Sequence, residues 1–219
     1  MRRASIGGLA AALIVSATQV AAQMPGAPLL QNAWASPGIV GAVNFGSGSG
    51  ASVYGLAAAW ASPTGRFQLS GGAGLRSGTA GTGSKSVYGV RAAIPFGGAS
   101  SDVGFGAFVG AGGGARNSAS SADSTASTTF IPVGLALGWR HAMGAARGFS
   151  VYATPSYFFA SGGSNNGGLV RTALGVDVGI TKTLGATAGV EFGQNRTRSQ
   201  GGPSGTLFGL GISYAGGRR

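Results

Sequence analysis

Val170-Arg171-Thr172-Ala173-Leu174-Gly175-Val176-Asp177-Val178-Gly179-Ile180 is the stretch that decides the fold. Its even positions are β-branched or large and apolar; its odd positions are small or charged. Successive side chains of a strand point to opposite faces, so this period of two predicts a strand with one bulky face and one small face. The same texture recurs along the chain. Tyr54, Leu56, Ala58 and Trp60 alternate with Val53, Gly55, Ala57 and Ala59. Phe67, Leu69, Gly71, Ala73 and Leu75 alternate with Gln68, Ser70, Gly72, Gly74 and Arg76. Tyr88, Val90, Ala92, Ile94 and Phe96 face away from Gly89, Arg91 and Ala93. Ile131 to Trp139 and Phe208 to Tyr214 behave alike.

A soluble sandwich would turn its bulky faces to a core and its polar faces to water. Here the second face is Gly, Ala, Ser or charge, a poor solvent-facing surface. A membrane barrel inverts the arrangement: bulky residues meet lipid, and small ones line a narrow lumen. The 45 glycines fit that lumen.

Ten segments are legible, near 38–47, 51–61, 66–76, 86–96, 103–115, 128–141, 148–160, 168–181, 186–195 and 205–215. Eight strands result instead if 38–61 is one irregular hairpin. Joints at 62–65, 97–102, 143–147 and 183–185 are short; those at 77–85, 116–126, 161–167 and 194–204 are longer and polar. Short turns on one side and long loops on the other match an outer-membrane barrel with both termini on the periplasmic side. Trp60, Phe67, Phe96, Trp139, Phe149 and Tyr214 fall near the short-turn ends, where an aromatic girdle belongs. Pro155 lies within a segment and predicts a bulge there.

At the N-terminus, Arg2 and Arg3 precede an apolar run from Ile6 to Ala17, and Val20-Ala21-Ala22 supplies small residues. This reads as a cleavable signal peptide over 1–22, with mature chain from Gln23. Residues 23–36 are then a short periplasmic segment, and 37–219 an all-β, antiparallel up-and-down transmembrane barrel. With that leader and those strands, the chain resembles the small bacterial outer-membrane β-barrel proteins, the OmpA-type and OmpX-type class. The resemblance covers the whole chain and implies residence in the outer membrane.

Nothing assembles a catalytic, cofactor or metal site. The chain has no Cys and one His, and His141 has no carboxylate or Ser beside it. Only Asp102, Asp123, Asp177 and Glu191 are acidic, against 15 Lys and Arg and a formal charge of +11. Basic runs interleaved with aromatics are absent, which speaks against nucleic acid. A hairpin loop at 183–185, with Lys182 opposite Ala186, places Asp177 opposite Glu191 on the lumen face. Like charges so placed repel, and Arg91 and Arg171 face the same way. The expectation is a lumenal ion-pair cluster of Arg91, Arg171, Asp177 and Glu191, either a constriction or a plug. Arg76, Lys85, Arg116, Arg196 and Arg198 are assigned to the outer loops, facing outer-membrane lipid and its anionic phosphates. Three functions follow: a closed barrel with a structural or surface-interaction role, a small diffusion pore for solutes or ions, and a secreted Gly-rich structural or adhesive protein.

Overall fold

The structure, a computed structural model, describes residue 33 and residues 38–48, 51–77, 84–96, 101–115, 127–143, 148–161, 167–193 and 206–216. The leader reading therefore lies outside the described residues, and of 23–36 only Ala33 is described, as a buried residue.

Ten strands form: β1 Gly38–Gly48, β2 Ala51–Ala61, β3 Gln68–Ser77, β4 Ser84–Pro95, β5 Val103–Ala115, β6 Ser127–Ala142, β7 Gly148–Ser161, β8 Gly167–Gly179, β9 Leu184–Gly193 and β10 Leu207–Ala215. Each pairs with its sequence neighbours and β1 pairs antiparallel with β10, closing the barrel. Closure matters because an open edge cannot be satisfied in lipid. Residues 38–61 make two strands, with Gly48 opposite Ala51, so the eight-strand alternative falls away.

The pairing fixes the tilt. From Asn44, the row of opposed residues runs through Gly211, Thr187, Asp177 and Ser150 to Arg140 of β6. Followed the other way, through Gly55, Gly74, Val87 and Gly114, it reaches Thr128 of the same strand. Residue 140 against residue 128 is a stagger of 12 positions. A stagger of this order accompanies a strand tilt of roughly 40°. Ten strands about 4.8 Å apart at that tilt enclose a backbone cylinder roughly 20 Å across.

Outside, the bulky faces form an apolar band. Ile39, Leu56, Trp60, Val90, Phe105, Leu135, Phe159, Leu174, Phe208 and Tyr214 are all exposed. At the short-turn end, Trp60 packs edge-on to Phe67, Phe96 lies tilted against Phe105, and Trp139 contacts both His141 and Phe149. These amphipathic rings sit where a bilayer interface would cross.

Two local expectations are corrected. Pro155 produces no bulge: β7 pairs with β8 in unbroken register, with Pro155 opposite Thr172. Toward β6 the pairing lapses at Thr154 and Pro155 and resumes in the same register, Gly134 opposite Ser156 and Leu137 opposite Ala153. A proline lacks one donor, and here the loss falls on one side of the strand only. The β8–β9 turn also differs. The Ile180 and Thr181 amides both donate to the Leu184 carbonyl, so the loop is centred on Lys182. The Thr181 hydroxyl accepts from the Thr183 and Leu184 amides at 3.2 and 3.0 Å, a side-chain cap that selects this turn. Gly185 instead pairs with Gly179 inside the ladder.

By contrast, the β2–β3 turn obeys its sequence. Pro63 and Thr64 form its centre, the Gly65 amide donates to the Ser62 carbonyl at 2.8 Å, and Gly65 follows at a φ of 67°. Proline presets the first central φ, and glycine takes the left-handed position without steric cost.

Candidate functional site

The site is the lumen, and its lining follows from strand parity. Strands β4 to β9 bring the large inward residues: Arg91, Phe108, Phe130, Arg140, Tyr152, Phe158, Arg171 and Glu191. Strands β10 and β1 to β3 bring mostly Gly, Ala and Ser, with Val40, Asn44, Val53, Gln68, Arg76 and Leu207 as the larger exceptions.

Aromatic rings lie over glycines. Phe108 is opposite Gly134, where an added Cβ would come within 2.6 Å of the ring; Tyr152 is opposite Gly175, where it would come within 2.2 Å. A bulky ring laid flat on the bare backbone of its cross-strand partner fills a narrow barrel without straining it. Gly175 belongs to a longer lane. In one row, Gly104, Gly138, Tyr152, Gly175, Gly189, Gly209 and Gly46 follow each other across seven strands. The row continues through Val53 to Arg76 and Lys85.

The lumenal charges are placed as follows. Arg171 Nε donates to Glu191 Oε1 at 2.5 Å, with both side chains buried. Glu191 is opposite Ala173 and Asp177 is opposite Thr187. The expected Asp177–Glu191 opposition is therefore wrong, by four positions of register, because the loop centres on Lys182 and not on Leu184. Asp177 accepts hydrogen bonds from the Thr187 hydroxyl and from the Ser150 hydroxyl, the latter at 3.4 Å. Arg91 lays its guanidinium over the Phe108 ring, 4.0 Å from the centroid, a cation–π contact strengthened by desolvation. Tyr152 is within electrostatic reach of both Arg91 and Asp177. Arg140 Nε donates to the Ser101 carbonyl at 3.0 Å near the short-turn end.

The assignment of Arg76 to an outer loop is corrected: it lies inside β3, on the inward face, close enough to Arg171 and Glu191 to feel both charges. Lys85 is likewise within β4, opposite Arg76. Arg116, Arg196 and Arg198 lie outside the described residues.

Phe108 and Tyr152 were not singled out from the sequence, yet a signal exists. Phe108 is bulky and out of phase with Phe105, Ala107 and Val109, and Tyr152 is in phase with Ser150, Thr154 and Ser156.

No family model matches the chain, and no curated protein matches it. Among solved structures, the beta domain of the Bordetella autotransporter BrkA is similar over 83% of this chain and 100% of that one, with a TM-score of 0.56 and 17% identity. The N-terminal β-barrel domain of Pseudomonas aeruginosa OprF covers 80% of this chain and 95% of its own, at 14% identity and a TM-score of 0.36. The NanC porin covers 80% and 98%, at 11% identity and a TM-score of 0.44. At such identities the likeness to the BrkA domain is one of architecture: this chain has the closed antiparallel fold of the small outer-membrane β-barrels.

Proposed function

We propose that the protein is an integral outer-membrane barrel whose lumen is closed by its own side chains, serving a structural or surface-interaction role. One observation carries the closed state. Arg91, Tyr152, Arg171 and Glu191 are 5%, 4%, 2% and 4% exposed, although all face the inside of the barrel. A water-filled channel would wet such side chains, because a charge taken out of water needs compensation and hydration is the cheapest form of it. Here an ion pair and an aromatic face supply that compensation.

Membrane residence is supported by the outer surface. Leu56 is 66% exposed and Ile39 65%, within a continuous apolar band. Monomeric soluble proteins rarely expose apolar patches of more than a few hundred Å², so the secreted, never-inserted alternative is disfavoured.

The pore reading has one observation in its favour: among the described residues the lumen carries Arg76, Arg91, Arg140 and Arg171 against Asp177 and Glu191, an imbalance suited to anion passage. Planar-bilayer recording of the refolded protein decides between them, after a boiled-versus-unboiled gel shift shows a folded barrel. The closed barrel is expected to insert and stay silent. Reproducible conductance steps with anion preference would replace it with the pore.

A further inference from the structure

The lipid-facing surface is not evenly ridged. Over the glycine lane, strands β5 to β10 form an outward-facing trough of roughly 930 Å³. Its floor is the lane itself: Gly104, Gly138, Gly175 and Gly189, with Tyr152, whose ring is turned inward onto Gly175. Its walls are the two rows of outward side chains that flank the lane. One row runs Phe105, Leu137, Ala153, Leu174, Val190 and Phe208. The other runs Val103, Trp139, Val151, Val176 and Ala188. Ala153 and Ala188 are the low points of those walls and widen the trough. Among the described residues its lining holds no charged side chain.

Size decides what fits. Six strands are crossed in five steps of about 4.8 Å, so the trough is roughly 24 Å long. Spread over that length, 930 Å³ gives a section of about 39 Å², or about 6 Å across. An α-helix with its side chains needs about 10 Å, and a second barrel is convex, so neither enters. A hydrocarbon chain does, because carbons in contact lie about 4 Å apart. In the trough it meets atoms on three sides instead of one, and such packing is what selects partners within lipid. The direction suits one leaflet. At a strand tilt of roughly 40° the row climbs about 15 Å, half of a ~30 Å hydrocarbon core. It starts in the girdle, where Trp139 packs against His141 and Phe149, and ends at Phe208.

We propose that this trough holds one acyl chain of a phospholipid from the leaflet at the short-turn end. The headgroup lies at the Trp139 girdle and the chain end lies toward Phe208. The site rests on the barrel's residence in a membrane, and not on whether its lumen conducts.

The test reads Trp139 itself, in full-length protein carrying Trp34→Phe and Trp60→Phe and shown folded by gel shift. Phosphatidylcholine with a dibrominated chain, a contact quencher, is titrated into the refolded protein in octyl glucoside. Trp139 fluorescence should fall and saturate at equimolar lipid. The reciprocal protein keeps only Trp60, which is exposed on β2 at the same end, and should show a shallow fall without saturation. Ala153→Phe with Ala188→Phe fills the trough and should abolish the saturable fall. Ala58→Phe, exposed on β2, should keep it. If the double variant does not fold, Ala188→Phe alone serves, since that side chain is exposed. Bromines near the glycerol should quench Trp139 more than bromines at the chain end, and a reporter introduced by Phe208→Trp should reverse that order. Equal, unsaturable quenching of Trp139 and Trp60 overturns the trough as a site and leaves the membrane reading standing. A saturable fall that survives filling overturns it too, and the same bromine order at both reporters overturns the chain's direction. Quenching of neither tryptophan overturns the trough and the membrane reading together.

Discussion

Two arcs of the barrel look alike from the lipid and unlike from the lumen. Strands β10, β1, β2 and β3 present Ile212, Val43, Leu56 and Leu69 outward, much as β5 to β8 present Phe105, Leu135, Val151 and Leu174. Inside, the first arc is Gly209, Gly211, Ala42, Gly46, Gly55, Ala57 and Gly72, whereas the second carries Phe108, Tyr152, Phe158 and Arg171. Lipid demands a uniform band around the whole circumference, but a lumen needs filling only once. Side chains from one arc occupy the space, and bare backbone in the row of Gly175, Gly189 and Gly209 leaves room for them. Glycine in a strand is unfavourable by roughly 0.5–1 kcal/mol relative to Ala, so these positions are a steric concession to the filled side.

Making the filled arc bare is the largest perturbation. Removing both rings, by Phe108→Gly with Tyr152→Gly, should cost about 3–5 kcal/mol at each site, measured by urea titration of gel mobility. It should also turn a silent barrel into a conducting one in a planar bilayer. Continued silence would mean that the Arg171–Glu191 layer closes the lumen by itself.

That layer can be attacked directly. Arg171→Ala leaves Glu191 buried without its guanidinium, and the expected loss is about 3–5 kcal/mol. Exchanging both partners, Arg171→Met with Glu191→Leu, removes the charges together and should come close to wild type in the same titration. A double variant as unstable as the single one would show that the pair acts by orienting neighbours and not by mutual compensation.

The sequence made the outer face far more legible than the inner one. Lipid imposes a strict period of two, so Leu56, Val90 and Leu174 could be placed outward, and ten segments counted, from alternation alone. Arg91, Arg171, Asp177 and Glu191 could be placed inward by the same parity. What parity cannot give is height along the barrel, because shifting a turn by two residues per strand preserves every face and moves every partner. Hence parity puts Asp177 and Glu191 on one face but cannot say whether they stand opposite each other, and the ladder sets Asp177 opposite Thr187 instead. Arg76 was misplaced for a related reason. The Gly- and Ser-rich stretch beyond it hides where the ladder stops, and β3 runs to Ser77. Which rings lie on which glycines depends on that same register.

A smaller effect tests the glycine lane that makes room for the rings. Gly175→Ala puts a methyl where Tyr152 lies, with the nearest ring atom 2.2 Å away, and should cost about 1–3 kcal/mol. In a Tyr152→Ala background the same change should be neutral, giving a coupling of comparable size in a double-mutant cycle. Gly41→Ala, on the outward face with nothing within 4 Å of the new Cβ, should stay within about 0.5 kcal/mol of wild type. A Gly175 variant as mild as the Gly41 one would mean that the lane is not holding room for the ring.

A last, small change concerns the turn between the charged strands. Thr181→Ala removes a hydroxyl that accepts from two backbone amides, in an exposed loop where water can substitute, so the loss should be about 0.5–1.5 kcal/mol. The more telling readout is where the strands settle. The chain has no cysteine of its own, so paired cysteines report register without interference. Asp177→Cys with Thr187→Cys should crosslink in the wild-type turn, because those positions are opposed. Asp177→Cys with Glu191→Cys should crosslink only if the loop slips to centre on Leu184. If Thr181→Ala moves crosslinking from the first pair to the second, one hydroxyl governs which charges meet in the lumen. If the first pair persists, the register is held by the interior instead, by the Arg171–Glu191 bond and by Tyr152 seated on Gly175.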